Sequence, residues 1–290
     1  YAVFLLPPQM LVFFKPNIHF LSEHAVDPDK RRYAVADEAP RHYIDLDKYG
    51  DWDSLPRRWD SAFVKLTEDT LHKHGIVPWW IGNMQYRLTE AFKEKDGARI
   101  LKLSAEIGHY ITDAHVPLHA SSNHNGQHTN QHGIHGFSES RVPELLAEKE
   151  WNFFLEKAAY IQNTSDFIWQ RVKESALAAD TVLQYEQELS NRFPADKKFA
   201  FETRYGVVVR QYSTAYTKAY DAALNGMVER RMQQSIHAVA SFWPTAWINA
   251  GQPDLSTLQN TTFTQKDLET FEELNKAWRT NKEQGRIHED

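Results

Sequence analysis

The 290-residue chain contains no cysteine, which removes disulfides, thiol nucleophiles and thiolate metal sites together. Any metal it holds must take nitrogen and oxygen ligands, and fourteen His with thirty-nine Asp and Glu supply them. No apolar run approaches the about 18 residues that a bilayer span requires. An excess of positive charge is missing too: thirty-three Lys and Arg against thirty-nine acids leave a net charge of −6. That balance argues against a strongly cationic nucleic-acid binder or an anchor on anionic lipid, a local basic groove aside. Internal repeats and low-complexity tracts are absent. The chain starts at Tyr1 rather than Met, and its apolar opening is interrupted at Pro7-Pro8. With no basic leader and no small-residue cleavage site, residues 1–6 do not read as a signal peptide.

What is present is a 41% hydrophobic chain with nine Trp, twelve Tyr and sixteen Phe, which excludes disorder as a description of the whole. Its periodicity is helical. Pro7-Pro8 opens a helix through Met10, Phe13, Ile18 and Leu21. Trp59, Phe63, Leu66 and Leu71 predict another, ending near Gly75. A third starts at Pro78 and runs through Phe92. The next runs from Ala98 towards Val116, where Pro117 stops it. Helical pattern resumes at Ile134, and long helices are expected over about 165–193, 198–240 and 264–281. Pro244 and Gly251-Gln252-Pro253 are read as the breaks before the last of these. Residues 26–53 read as an extended loop and 120–134 as a polar Ser/Asn/His/Gly/Gln loop. No alternation is long enough to suggest a sheet, so the expectation is a single all-α domain over residues 1–290.

The chemistry concentrates in Gly108-His109-Tyr110-Ile111-Thr112-Asp113-Ala114-His115-Val116-Pro117-Leu118-His119. His109 and Asp113, four apart on a helix, lie about 40° apart on one face and one turn from each other. His119 follows Pro117, where the chain leaves helical geometry and can turn back. His135 and Glu139 repeat the four-residue spacing beyond the polar loop. An isolated pair of this kind is usually exposed and worth a few tenths of a kcal/mol. Here the first pair sits among Leu101, Leu103, Ile107 and Ile111, and buried ionisable groups need partners. A cation supplies one; a hydrogen-bonded His–Asp pair serving only the core is the alternative.

The string His109-x3-Asp113-x3-Pro117-Leu118-His119, followed by His135-x3-Glu139, resembles the zinc-dependent phospholipase C and single-strand-specific zinc nuclease superfamily. Upstream, Asp27 in Ala25-Val26-Asp27-Pro28-Asp29 and His42 in Arg41-His42-Tyr43 match two further ligand positions fifteen residues apart. The resemblance implies an all-helical phosphodiesterase built around a multinuclear zinc site. In it Asp27, His42 and His109 hold one zinc, Asp113 bridges this to a neighbour, and His119, His135 and Glu139 hold another. It gives Asp27 a further role as water-orienting general base and Tyr43 one in stacking on substrate. The matched motifs end near residue 145. Glu139 looks like the phospholipase branch, whereas the Asp27–His42 gap looks like the nuclease branch. The family's third zinc uses an N-terminal Trp and a nearby His; this chain has neither, its first His being His19. The expectation is therefore that the chain is cropped upstream, with two zinc sites of its own and a third if the upstream ligands exist.

These readings imply a zinc-dependent phosphodiester hydrolase in which metal-activated water attacks phosphorus, its substrate a phospholipid headgroup ester. A nuclease acting on single-stranded nucleic acid is the alternative in the same superfamily. An inactive structural metal protein is the alternative from another class. The resemblance implies a secreted or periplasmic protein; no transmembrane segment and no specific protein partner is inferred.

Overall fold

A computed structural model describes residues 1–204 and 206–286. Two antiparallel helices, Val77–Glu94 and Gly97–Asp113, form its centre. Lys95 turns the chain between them with φ 54°, and the Asp96 carboxylate accepts from Arg99 N at 3.0 Å to cap the second. Both carry their apolar residues at helical spacing: Ile81, Met84, Leu88 and Phe92 on one, Ile100, Leu103, Ile107 and Ile111 on the other. Helices Thr164–Arg192 and Met227–Asn249 pack across them. The core is rich in ring contacts, with Trp79 edge-on to Trp169 at 4.9 Å and Phe14 stacked on Trp243 at 5.1 Å. A second apolar cluster gathers Leu118, Ile134, Phe137, Val142, Val182, Tyr216 and Tyr220. The candidate ligands lie where the two clusters meet: His109 and Asp113 project from a helix of the first, while His119 and His135 adjoin Leu118, Ile134 and Phe137 of the second.

The molecule is mostly helical, as expected, but four local readings are corrected. The helix expected over 198–240 begins instead with an antiparallel hairpin, Phe199–Arg204 against Val207–Tyr212, pairing Phe199 with Tyr212. Phe, Val, Thr and Tyr favour a pleated strand, and Gly206 turns the chain at φ 81°. Two helices follow, Thr214–Ala223 and Met227–Asn249, separated at Asn225-Gly226, both at positive φ. Pro244 does not break the second. It sits buried within it, on a helix whose Ser241 and Thr245 hydroxyls accept from the backbone N–H groups of Ala159 and Ile161. Those bonds tie the non-helical segment 151–163 along the helix, and packing there outweighs the proline penalty.

The helix expected over 59–75 divides at Thr67, φ 63°, into Trp59–Leu66 and Glu68–His74. Residues 26–53 are not an extended loop: they hold the short helix Asp27–Arg31 and tight turns at Ala39–Arg41, Leu46–Lys48 and Trp52–Ser54. No helix among the described residues is long and apolar enough to cross a membrane.

Candidate metal centre

Six elements deliver the ligand-type side chains. Helix Gly97–Asp113 presents His109 and Asp113 one turn apart. Pro117 then starts the tight turn Pro117–Ala120, which aims His119 back beside them. His135 stands in the turn Ile134–Gly136, and Glu139 in the wide π-type turn Phe137–Arg141, a geometry frequent at functional sites. His42 closes the turn Ala39–Arg41, and Asp29 lies in helix Asp27–Arg31.

Two triads result, each with its nitrogen and oxygen atoms within 4.8 Å of one another. In the first, His109 Nε2 lies 3.2 Å from His42 Nδ1 and 3.4 Å from Asp29 Oδ1. In the second, Glu139 Oε2 lies 2.9 Å from His135 Nε2 and 3.2 Å from His119 Nε2. Asp113 lies between them. Its Oδ2 is 3.0 Å from His42 Nδ1 and 3.4 Å from His109 Nε2, and its Oδ1 is 3.8 Å from His119 Nδ1. His109, Asp113 and Glu139 line one wall of a cavity of about 430 Å³.

The surroundings fix which nitrogen faces inward. His119 Nδ1 donates to the His42 carbonyl at 2.7 Å, and His135 Nδ1 donates to the His124 carbonyl at 3.1 Å. A carbonyl only accepts, so each bond places hydrogen on Nδ1 and leaves the Nε2 lone pair for a cation. Buried Asn125 holds this segment in place by accepting from Gly133 N at 2.9 Å and His135 N at 3.3 Å. His42 is turned the other way: Nδ1 faces the cluster, and Nε2 lies 3.6 Å from Glu38 Oε1, just beyond hydrogen-bond reach. Glu38 is wholly buried, contacted by the Tyr110 hydroxyl, Arg41 and Arg31. Burial raises its pKa, but His42, Arg31 and Arg41 outweigh burial and hold it at about 2.

Without a cation the cluster balances its own charge with protons. Burial works against a charged His109, yet Asp113 and Asp29 raise its pKa to about 10. Burial is likewise overcome at His119, which Glu139 and Asp113 raise to about 9. Burial would raise Glu139, but His119 and His135 hold it well below the usual carboxylate range. A cation entering here displaces protons from imidazole rather than meeting an empty charge deficit. The donor set fits such an ion: neutral-capable imidazoles and carboxylates, with inward nitrogens fixed by backbone carbonyls in the second triad.

His42, His109, Asp113, His119, His135 and Glu139 are all brought together. Asp27 is not. Its carboxylate pairs with His24 Nδ1 at 2.6 Å and Lys30 Nζ at 2.8 Å, and Asp29 takes its place beside His42 and His109. Residues two apart on a helical turn point to opposite sides, about 200° apart, so only one of the two acids can face the cluster. The proposed stacking role of Tyr43 is also corrected. Its ring is buried, and the Arg286 guanidinium covers it at 3.7 Å from the centroid, held by two bonds to Asp45 of 2.7 and 2.8 Å. Tyr43 is wall: a Cβ on Gly75 would stand 2.1 Å from its carbonyl oxygen.

His115 lies off the ligand face, as its spacing suggests, with Nδ1 donating to the Ile111 carbonyl at 2.7 Å. Sequence reasoning missed Glu38 and Asn125. No motif marks them, although Asp29 stood in the same Asp-Pro-Asp string as Asp27. Comparison with known proteins adds nothing to this geometry: no family model, no curated protein and no solved structure matches the chain.

Proposed function

We propose that the chain is a zinc-dependent phosphodiester hydrolase of the phospholipase C type. The observation that carries this reading is the pair of triads with Asp113 between them, each of them two imidazoles and a carboxylate. Three protein ligands of that kind leave a coordination position open for water or substrate. Zinc bound there supplies Lewis-acid polarisation of a phosphoryl oxygen and a lowered pKa for water.

The chain's own groups do the rest. His119 and His135, locked by their Nδ1 bonds, present fixed Nε2 atoms, so no tautomer has to change on binding. Asp113 sets the spacing between the two triads. Asp29, with a side chain 46% exposed, is the first-triad acid that meets solvent. It takes the water-orienting role that the sequence reading gave to Asp27. With Tyr43 covered by Arg286, the argument for base stacking falls away, and Glu139 favours the lipid branch. Export from the cytoplasm goes with this reading on the resemblance alone.

The test uses one preparation, loaded with zinc and measured by elemental analysis. It is assayed on phosphatidylcholine vesicles, single-stranded DNA and an aryl phosphodiester, with and without chelator. Chelator-sensitive release of the lipid headgroup is expected. Cleavage of DNA but not lipid selects the nuclease reading. Full zinc occupancy with no hydrolysis of any of the three leaves a structural metal protein.

A further inference from the structure

A cleft of about 540 Å³ that shares no lining residue with the metal-centre cavity brings aromatic rings and cations together. Trp59, Trp79 and Trp80 supply ring surface, and Arg41 and Arg57 supply charge. Each guanidinium lies over an indole, Arg41 at 4.1 Å from the Trp80 centroid and Arg57 at 4.5 Å from that of Trp169. Stacking occupies the face of a guanidinium and leaves its N–H groups, which lie in its plane, for acceptors.

Those donors are not used up within the chain. Arg57 is half-buried, and among the described residues it makes no hydrogen bond and no ion pair. Only its Nη1 is enclosed; Nε and Nη2 reach open space. Arg41 gives Nη1 to Glu38, an acid it shares with Arg31, and its Nε and Nη2 are open and without a partner. The neighbouring acids do not neutralise this pair. Asp53 lies within the field of Arg57 but is bonded to Lys173. Asp60 and Asp37 stand out in solvent, beside Arg58 and His72. Pro78, Trp79 and Trp80 stand in the first turn of helix Val77–Glu94, and Ser165 in that of helix Thr164–Arg192. Two long helices therefore bring their positive ends to the cleft that already holds two guanidinium groups with donors to spare. Arginine N–H groups match the oxygens of a phosphate in pairs, so the charge and the donors suit one ligand chemistry. Trp59 adds a surface for its body: it is 39% exposed and lines the cleft 6.3 Å from Trp79.

We propose that this cleft binds a phosphomonoester-type dianion carried on a flat ring, with Arg41 and Arg57 bonding the phosphate and Trp59 meeting the ring. The site is separate from the metal centre and stands whether or not the chain hydrolyses phosphodiesters.

Benzylphosphonate, whose P–C bond resists hydrolysis, is titrated by calorimetry into the full zinc-loaded chain. Methylphosphonate serves as the anion without a ring, and benzyl alcohol as the ring without an anion. Benzylphosphonate is expected to bind about tenfold more tightly than methylphosphonate, the worth of one ring contact, and about a hundredfold more tightly than benzyl alcohol. Arg57→Gln removes one cation and weakens both phosphonates by about tenfold or more, whereas Arg57→Lys keeps the charge and part of the affinity. Trp59→Ala, at a partly exposed position, brings benzylphosphonate down to the level of methylphosphonate. Bound zinc can also take a phosphonate, but an anion seated only on zinc loses nothing with Arg57→Gln. Phosphonate binding indifferent to Arg57→Gln, or benzyl alcohol binding as tightly as benzylphosphonate, overturns the proposal. Zinc content is read on the same samples: a chain that takes up no zinc yet binds benzylphosphonate through Arg57 loses the hydrolase reading and keeps this site.

Discussion

The two triads use the same ligand types but are held by different means. His119 and His135 are oriented by backbone carbonyls, and Glu139 sits in a π-type turn four residues after His135. Their geometry depends on main-chain atoms, one of them the carbonyl of His42, 77 positions away. The first triad draws Asp29, His42 and His109 from three segments, and His42 turns its outer nitrogen to Glu38, a buried acid shared with Arg31, Arg41 and Tyr110. One triad is set by main-chain dipoles, the other by a charged network whose members could each be lost by one substitution. The first should therefore be the more fragile and the more sensitive to charge.

Removing a ligand tests the comparison most severely. Asp113→Asn and His109→Ala should each lower metal content by about one ion per chain and cost more hydrolysis than the 10–100-fold typical of outer-shell changes. His135→Ala should empty the second triad while the first still fills. If stoichiometry by elemental analysis is unchanged in all three variants, the ligand assignment is wrong. Next in size, Glu38→Gln should weaken the first site by about 10–100-fold and leave the second alone, and Asn125→Ala should do the reverse. Equal weakening of both sites by either variant would remove the distinction between the two supports.

Proton competition gives a graded effect. With His109 at about 10 and His119 at about 9, metal uptake near neutral pH releases protons, so affinity climbs as pH rises towards 9. The metal-free protein behaves oppositely. A histidine raised on folding contributes fully below its unfolded value of about 6.5 and loses that contribution as pH rises through 9 to 10. Asp113 and Glu139, lowered on folding, contribute above about 4.5 and lose it as pH falls. Buried His115 and His124, each lowered to about 3, act the other way and lose stability as pH falls below about 6.5. Thermal unfolding in chelator should thus peak at about pH 6.5, and a peak above pH 8 would contradict the proton balance. Smallest at the metal centre is Asp27→Asn. It should leave metal content unchanged while costing about 1–3 kcal/mol of stability through the lost His24 and Lys30 bonds.

Much of this site was readable before any coordinates. His109 with Asp113, and His135 with Glu139, are four apart, and helical geometry alone puts each pair on one face. What escaped was whatever depends on direction within a turn. Asp27 and Asp29 are chemically equal, and only the phase of helix Asp27–Arg31 decides which faces His42. Glu38 and Asn125 act through contacts with residues 3 to 72 positions away, which no single motif encodes. The hairpin Phe199–Arg204/Val207–Tyr212 was missed because six-residue strands inside a long helical stretch offer too few alternations to outweigh the surrounding period.

Sequence by itself determined the helical character, the central pair of helices and most of the histidines and acids that come together, because side-chain period and residue chemistry are local properties. Tertiary structure alone decided the rest. It chose Asp29 over Asp27, covered Tyr43 with an arginine from 243 residues away, and buried His115 with its Nδ1 bonded to the Ile111 carbonyl. Each of these depends on which surfaces meet when distant segments pack, and meeting is a property of the folded chain rather than of any stretch of it.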